Sequence, residues 1–325
     1  MRTFNYINAT TVEEAVAVLQ QYQDKARILA GGTDLLGIMK DEILPQYPEA
    51  LINIKTISGL EYIREAEDGL RIGALTALED IATDLCVKDR YPALAQAARR
   101  AASPHLRAMG TLGGNLCQDI RCWYYRNPNN RFPCLRKGGG RCYAIEGDNR
   151  YHSIMGGSVE GGCYAVHPSD TAPALITLNA EAVTSKRVIK LEEFFQVDVA
   201  KTTVLDFDEM VIEIRIPSPA AGSQNAFLKF AIRKSIDFPI VNCAASIFAP
   251  AGTIEKARIC LNAIHVKPYR AVKADEILIG KEINMELAEG AGAAAMADAK
   301  PFDRNRYMVQ IAKTLVKRCI LACKD

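Results

Sequence analysis

The sequence has almost no net charge: 40 Lys and Arg stand against 38 Asp and Glu, leaving +2. Without an excess of one sign there is no electrostatic basis for expecting nucleic acid or an anionic membrane as partner. Long apolar runs are also missing. Stretches such as Ala293 to Ala297 fall far short of the roughly 20 residues that a bilayer span needs. The first residues, Met-Arg-Thr-Phe-Asn-Tyr-Ile-Asn, lack the apolar core and small-residue cleavage site of a secretory leader, so a cytoplasmic protein is expected. Internal repeats and low-complexity tails are absent too. Neither Gly31-Gly32 nor Gly113-Gly114 fits G-x-G-x-x-G or G-x-x-x-x-G-K-[ST], which disfavours a Rossmann or P-loop nucleotide site. His105 and His167 have no sequence-near partner of the Ser-His-Asp or metal-binding type, and both read as structural.

What the chain does have is cysteine. Ten are present, and five of them, Cys117, Cys122, Cys134, Cys142 and Cys163, fall within 47 residues. A chain of this size in a reducing compartment needs no disulfide staples, so a local cluster reads as metal ligation. Intervals of 11, 7 and 20 residues separate Cys122, Cys134, Cys142 and Cys163. These match neither the C-x2-C knuckles of structural zinc nor the bacterial ferredoxin run, and spacing alone does not fix the metal. Thiolate softness restricts it to zinc or an iron–sulfur cluster. Arg121, Arg126, Arg131, Arg136, Lys137 and Arg141 crowd the same stretch; they either offset thiolate charge or form a solvated basic loop. Cys117 reads as a packing thiol. Cys86, Cys243, Cys260, Cys319 and Cys323 lie scattered among apolar neighbours and read as small buried hydrophobes.

A hydrophobic fraction of 49% with 24% charged residues is that of a packed protein rather than a disordered one. Thr11-Val-Glu-Glu14 carries a capping-box pattern, followed by Val12, Ala15, Val18 and Leu19 at helical spacing. Short strands are expected at Arg27–Ala30, Ala50–Ile54 and Gly69–Gly73, and helices at Leu78–Leu85 and Pro92–Ala102. Residues Asp119 to Gly162 change character: rich in Gly, Arg, Asn and Cys, they have no apolar period and need something to pin them. Beyond them come a helix or strand at Ala174–Leu178, a hairpin at Val183–Leu191 and a strand at Glu209–Pro217. Pro217-Ser-Pro-Ala-Ala-Gly-Ser223 is the best linker. After it, strands are expected at Ala226–Arg233, Val241–Ala249 and Lys256–Ile264. Helices are expected at Ala271–Ile279, Met285–Ala297 and Arg304–Leu321. Two domains follow, 1–217 and 218–325, the first divided near residue 57 into subdomains 1–57 and 58–217 and bearing an insertion over about 119–163.

Two turns carry paired glycines: Ala30-Gly31-Gly32-Thr33-Asp34-Leu35 and Thr111-Leu112-Gly113-Gly114-Asn115-Leu116. Such pairs permit positive φ and let N–H groups face a ligand with no Cβ in the way. Two of them make an anion cradle, with Thr33, Thr111 and Asn115 as side-chain donors. In Pro168-Ser169-Asp170, the Asp is suited to meet a hydroxyl-bearing ligand or to cap the following helix.

Taken together, A-G-G-T-D-L at 30–35, A-S-P-H-L-R-A-M-G-T-L-G-G-N at 102–115 and P-S-D-T-A-P-A-L at 168–175 resemble the FAD-binding medium subunit of the xanthine oxidase family of molybdenum hydroxylases. Lys229 and the run Arg233 to Val241 resemble the start of that family's C-terminal flavoprotein domain. The cysteine-bearing insertion is similar to the one in 4-hydroxybenzoyl-CoA reductase β subunits, where it holds a 4Fe-4S cluster. The resemblance implies an α+β fold: an FAD-binding part of the vanillyl-alcohol-oxidase (PCMH) type, then a C-terminal three-stranded sheet with a helical bundle, as in CO dehydrogenase flavoproteins. It implies that Ala30, Gly31, Gly32, Thr33, Asp34 and Leu35 line the cofactor, with Gly31 to Asp34 wrapping the pyrophosphate. Thr111, Gly113, Gly114 and Asn115 would form the second cradle. Asp170 would meet ribityl or ribose hydroxyls, and Lys229 would lie near the flavin ring. Cys122, Cys134, Cys142 and Cys163 would hold the cluster.

By the same resemblance the chain passes electrons and leaves substrate chemistry to partners. Those partners would be a large molybdopterin subunit and a small 2Fe-2S subunit, in a dimer of heterotrimers. The holoenzyme reaction implied is reductive dehydroxylation of a phenolic aromatic such as 4-hydroxybenzoyl-CoA. Hydroxylation of a purine or aldehyde is the alternative within the family, and a zinc-stabilised nucleotide-binding or interaction module the alternative outside it.

Overall fold

The computed structural model describes residues 1–160 and 162–324. Its first layer alternates short strands and helices: β1 (Asn5–Asn8), α1 (Val12–Tyr22), β2 (Ala26–Leu29), α2 (Leu35–Lys40) and β3 (Ala50–Asn53). The strands are parallel in the order β1-β3-β2, which connections running through helices allow. Thr11 Oγ1 accepts from the Glu14 N–H at 3.1 Å, and the Glu14 carboxylate reaches back to the Thr10 N–H at 2.7 Å. This is the expected capping box with its return bond displaced by one residue. Ala15, Leu19, Ile52, Ile54 and Ile57 fill the core of the layer.

The second layer begins with β4 (Ile63–Ala66) and β5 (Gly69–Gly73), followed by α3 (Leu78–Thr83), α4 (Leu85–Arg90), α5 (Pro92–Arg100), α6 (Pro104–Met109) and α7 (Leu112–Cys117). After the cysteine-bearing insertion come α8 (Thr171–Thr177), β6 (Glu181–Thr184), β7 (Val188–Lys190), α9 (Leu191–Phe194) and β8 (Val211–Pro217). The strands form one antiparallel sheet, β4-β5-β8-β6-β7. Leu70, Ile72, Leu94, Leu112, Leu116 and Ile214 are buried between this sheet and its helices. The ambiguous run at Ala174 is thus helical, and the expected hairpin is β6 and β7. Among the described residues, the insertion's only helical pieces are two short 3-10 turns, Pro128–Asn130 and Leu135–Lys137.

The third layer is an antiparallel sheet of β9 (Ser223–Phe230), β10 (Val241–Phe248), β11 (Lys256–Asn262) and β12 (Tyr269–Arg270), backed by α10 (Val272–Leu278), α11 (Met285–Ala295) and α12 (Tyr307–Leu321). Three strands were expected; the fourth is a two-residue edge strand, too short to leave a pattern in the sequence. Cys243, Cys260, Cys319 and Cys323 are buried there, as their apolar neighbours suggested. A seam of small side chains, Ala93, Ala97, Ala174 and Ala244 around Phe227, brings α5 and α8 close against β9 and β10. Asn225 Oδ1 accepts from the Ala93 N–H across that seam at 2.8 Å. Among the described residues no helix is long and apolar enough to cross a membrane.

Two glycines of α11 should respond oppositely to alanine. A Cβ on Gly292 would stand 2.6 Å from the Lys313 carbonyl oxygen of α12, whereas one on Gly290 would meet nothing within 4 Å. Gly290→Ala should stabilise by up to about 1 kcal/mol through helix propensity. Gly292→Ala should destabilise by about 2 kcal/mol through forced separation of the helices. Chemical denaturation of the two variants checks the signs.

Candidate functional site

The two glycine turns meet. Gly31 lies so close to the end of α6 that a Cβ there would stand 1.9 Å from the Met109 carbonyl oxygen. From Gly110, a Cβ would point at Thr33 Oγ1 from 3.7 Å. Gly32 has φ +70°, which carries the chain from β2 into α2 in a conformation that favours glycine. The N–H groups of Gly31, Gly32, Thr33 and Asp34 donate to no acceptor among the described residues. Consecutive free N–H groups at a turn form an anion-binding concavity. Beside them, Lys55 Nζ bonds the Ala30 carbonyl at 3.0 Å, a cation that no motif signalled. Leu35 begins α2 and packs toward Leu29, Met39 and Leu51.

The second turn is anchored to the sheet layer. The N–H of Gly113 donates to Ala74 O at 2.9 Å, and a Cβ on Gly113 would stand 3.0 Å from that oxygen. Thr111 caps α7, its Oγ1 accepting from the Gly114 N–H at 3.1 Å. Gly114 itself is exposed, though a Cβ there would stand 3.0 Å from Thr111 Oγ1. The Asn115 side-chain oxygen receives the hydroxyls of Ser169 at 2.5 Å and Thr171 at 2.7 Å, which ties the second turn to the start of α8.

Asp170 neither caps α8 nor faces solvent. Ser169 Oγ does the capping, accepting from the Ala172 N–H at 3.0 Å. The Asp170 carboxylate takes Lys229 Nζ on one oxygen and the Asn242 amide on the other, each at 2.7 Å. Both members of the ion pair are nearly sealed, with side-chain exposures of 3% and 5%. Burial pushes the Asp170 carboxyl above its ordinary value against the pull of Lys229 and Asn242, the signature of a costly buried charge. Behind the pair, Asn262 bonds Ser169 O at 2.8 Å and His167 Nδ1 at 3.1 Å. Burial drives the His167 pKa down to about 3, so this histidine is neutral and structural, as the sequence suggested. Asn242 and Asn262 were missed, since no local pattern links them to the S-D motif; Thr171, inside that motif, was given no role.

Asp34 is the surprise of the first turn. Its carboxylate faces the insertion: Arg121 Nη2 and Arg126 Nη1 both reach Oδ1 at 2.8 Å, while Arg126 Nη2 and the Asp119 N–H reach Oδ2 at 3.1 and 2.9 Å. Burial opposes the charge, but Arg121 and Arg126 outweigh it and hold the carboxyl below its ordinary value. Only the Asp34 backbone is left to face the cradle. Arg121 and Arg126 are therefore not a solvated basic face.

Cys122, Cys134, Cys142 and Cys163 line one small pocket with Tyr124, Tyr125, Arg136 and Tyr143. Cys117 is not among its walls and is exposed. Among the described residues no three His, Cys, Asp or Glu side chains converge as a single metal ion requires. Arg136 Nε donates to Cys163 Sγ at 3.2 Å, and His152 Nε2 lies 3.2 Å from Cys122 Sγ. Burial raises the Cys122 thiol to about 12 and lifts Cys134 and Cys142 as well. Thiols held neutral in this way must lose protons before they can ligate any metal.

Comparisons with known proteins place the chain in a family. A family model described as the FAD binding domain in molybdopterin dehydrogenase matches residues 2–219, and one for the CO dehydrogenase flavoprotein C-terminal domain matches 226–323. The FAD-binding subunit of an Escherichia coli aldehyde oxidoreductase is 35% identical over 327 residues, covering 96% of each chain. The medium chain of Hydrogenophaga pseudoflava carbon monoxide dehydrogenase is 29% identical, covering 98% of this chain and 96% of its own. A solved structure of carbon monoxide dehydrogenase from the same organism, lacking the Mo-pyranopterin moiety of its molybdenum cofactor, superposes with a TM-score of 0.78 at 28% identity, covering 99% of this chain and 97% of that one. With both domain models matched in order over nearly the whole chain, the chain belongs to the family of FAD-binding medium subunits of molybdenum hydroxylases.

Proposed function

We propose that this chain is the electron-transfer subunit of a molybdenum-containing oxidoreductase, carrying a 4Fe-4S cluster on Cys122, Cys134, Cys142 and Cys163 in addition to FAD. The observation that carries the reading is the common cavity of those four cysteines. Thiolates are the ligands such a cluster takes, and nearby cations favour it in a reduced, more negative form; Arg136 supplies one against Cys163. FAD exchanges one or two electrons and the cluster one, so the pair can join two-electron chemistry to a one-electron chain. The chain's own residues bind and orient. The free N–H groups of residues 31–34 meet pyrophosphate charge. Gly114 leaves room beside them, and Asn115 is held in place by Ser169 and Thr171. The Asp170–Lys229 pair sets the floor between the domains, with Lys229 on the flavin side. Substrate chemistry belongs to a large molybdopterin subunit, reached through a small 2Fe-2S subunit, in a dimer of heterotrimers in the cytoplasm.

For the holoenzyme, the insertion's resemblance favours reductive dehydroxylation of a phenolic aromatic such as 4-hydroxybenzoyl-CoA. Aldehyde oxidation is the second reading, favoured by the aldehyde oxidoreductase subunit to which the chain is 35% identical. Assaying the purified complex with a phenolic thioester plus a low-potential donor, and with aldehydes plus an acceptor, separates the two.

Substitutions at each proposed cofactor site, with matched controls, test the assignments. Gly31→Ala should lower bound FAD by more than about tenfold, the equivalent of at least 1.4 kcal/mol, because the turns cannot touch with a Cβ between them. Gly37→Ala in α2, where a Cβ meets nothing within 4 Å, should leave it unchanged; flavin absorbance of the purified proteins gives the answer. Cys134→Ser and Cys142→Ser should each drop iron from about four atoms per chain toward none, whereas Cys117→Ala keeps it. Iron analysis that finds full occupancy in both serine variants removes these cysteines from the ligand set.

A further inference from the structure

The flavin cradle and the cysteine cavity share walls. α2 leaves the first glycine turn and buries Ile38 in a cluster with Ile120, Tyr125, Cys134 and Cys163, joined by Ile43 from the loop after α2. At the other end of α2, the Asn129 N–H donates to Asp41 O at 2.9 Å. At its start, Asp34 receives four hydrogen bonds, all from residues 119–126. A carboxylate has about four lone-pair sites, so none remains for a ligand. Arg126 also bonds the carbonyls of Asp119 and Ile120 at 3.0 Å each, and its own N–H donates to Cys122 O at 2.9 Å. Arg121 pairs backbone to backbone with Val166 and lies 4.2 Å over the Phe238 ring of the third layer. The path from Cys122 to the free N–H groups of the cradle thus runs through Arg126 and one side chain, Asp34.

We propose that Asp34, Arg121 and Arg126 form a latch that couples the two sites, so that an ordered, filled cysteine cavity tightens FAD binding and bound FAD protects the cavity's contents. The side chains of Asp34 and the arginines position the turn: they fix where the N–H groups of residues 31–34 sit without themselves touching the cofactor. Filling the cavity holds residues 119–126 in the register that presents both arginines to Asp34. Emptying it frees that segment, and the turn loses four of the bonds that fix it. Such coupling is reciprocal, because each ligand must shift the affinity of the other by the same factor. The inference rests on the four-cysteine reading only for the identity of what fills the cavity.

The test is FAD titration, by quenching of flavin fluorescence, into the deflavinated full chain of wild type, Asp34→Asn, Arg126→Gln and the double variant. Each single variant should weaken FAD by about tenfold, and the double should be no weaker than Asp34→Asn alone, because both remove one interaction. Arg126→Lys, which keeps the charge but not the two-pronged bond, should fall between wild type and Arg126→Gln and serves if Asp34→Asn does not fold. Chelation of iron from wild type should weaken FAD by a similar factor, and from Asp34→Asn it should not. Unchanged FAD affinity in Arg126→Gln, or losses that multiply in the double variant, would overturn the latch. Wild type purified without iron overturns the cluster assignment instead, while the titrations still decide the latch.

Discussion

The cradle proposed for FAD exists because two stretches of main chain touch. Gly31 and the carbonyl of Met109 are packed so tightly that no side chain fits between them, and this contact aligns the turn after β2 with the turn before α7. Everything else in the cradle is arranged around it. Thr33 faces Gly110, Thr111 caps its helix, and Asn115 ties the second turn to α8. Backbone N–H groups are suited to a pyrophosphate because they are fixed by the fold and need no side-chain ordering when the ligand arrives. A site made this way gains rigidity from the layers behind it, here the parallel sheet of β1 to β3 and the antiparallel sheet that contains β5 and β8.

The insertion is the opposite kind of structure. Among its described residues it has almost no regular secondary structure, and its order comes from side chains: Arg126 threading back to two carbonyls, Asp119 accepting from Tyr125 at 2.6 Å, and the rings of Phe132, edge-on, and Tyr143, stacked, packed against Tyr124. Segments of this kind lack a core large enough to offset their chain entropy. They persist where a bound group or a neighbouring surface supplies the missing energy. Here the neighbouring surface is α2, the same helix that the first glycine turn starts.

Much of the architecture could be read in advance, because the signals were local. The capping box at Thr11, the alternation of β8 ending in Pro217 and the helical spacing of α12 all declare themselves within a few residues. The glycine pairs were likewise visible as turns. What could not be read was their reason: Gly31 is required by Met109, and Asp34 is engaged by Arg121 and Arg126, partners about 80 to 90 positions away with no periodicity to announce them. The helices α6 and α7 were hidden for a related reason, being six residues each and, in α7, interrupted by two glycines. At the S-D motif the acidic residue looked like the cap, yet Ser169 has that role and Asp170 is drawn inward by a lysine from the next domain.

That last pairing limits how the two domains can evolve. Removing one member of a buried ion pair costs about 3–5 kcal/mol because the other is left charged and unpartnered, while exchanging both together for well-packed apolar residues is often neutral. Asp170 lies in one family domain and Lys229 at the start of the other. The Pro-rich linker between them therefore looks like a natural cutting point but is not a free one: a hybrid that joins the flavin domain of one relative to the C-terminal domain of another inherits whichever mismatch its parents carry at these two positions. The domains are separable in sequence and a single unit of inheritance in charge.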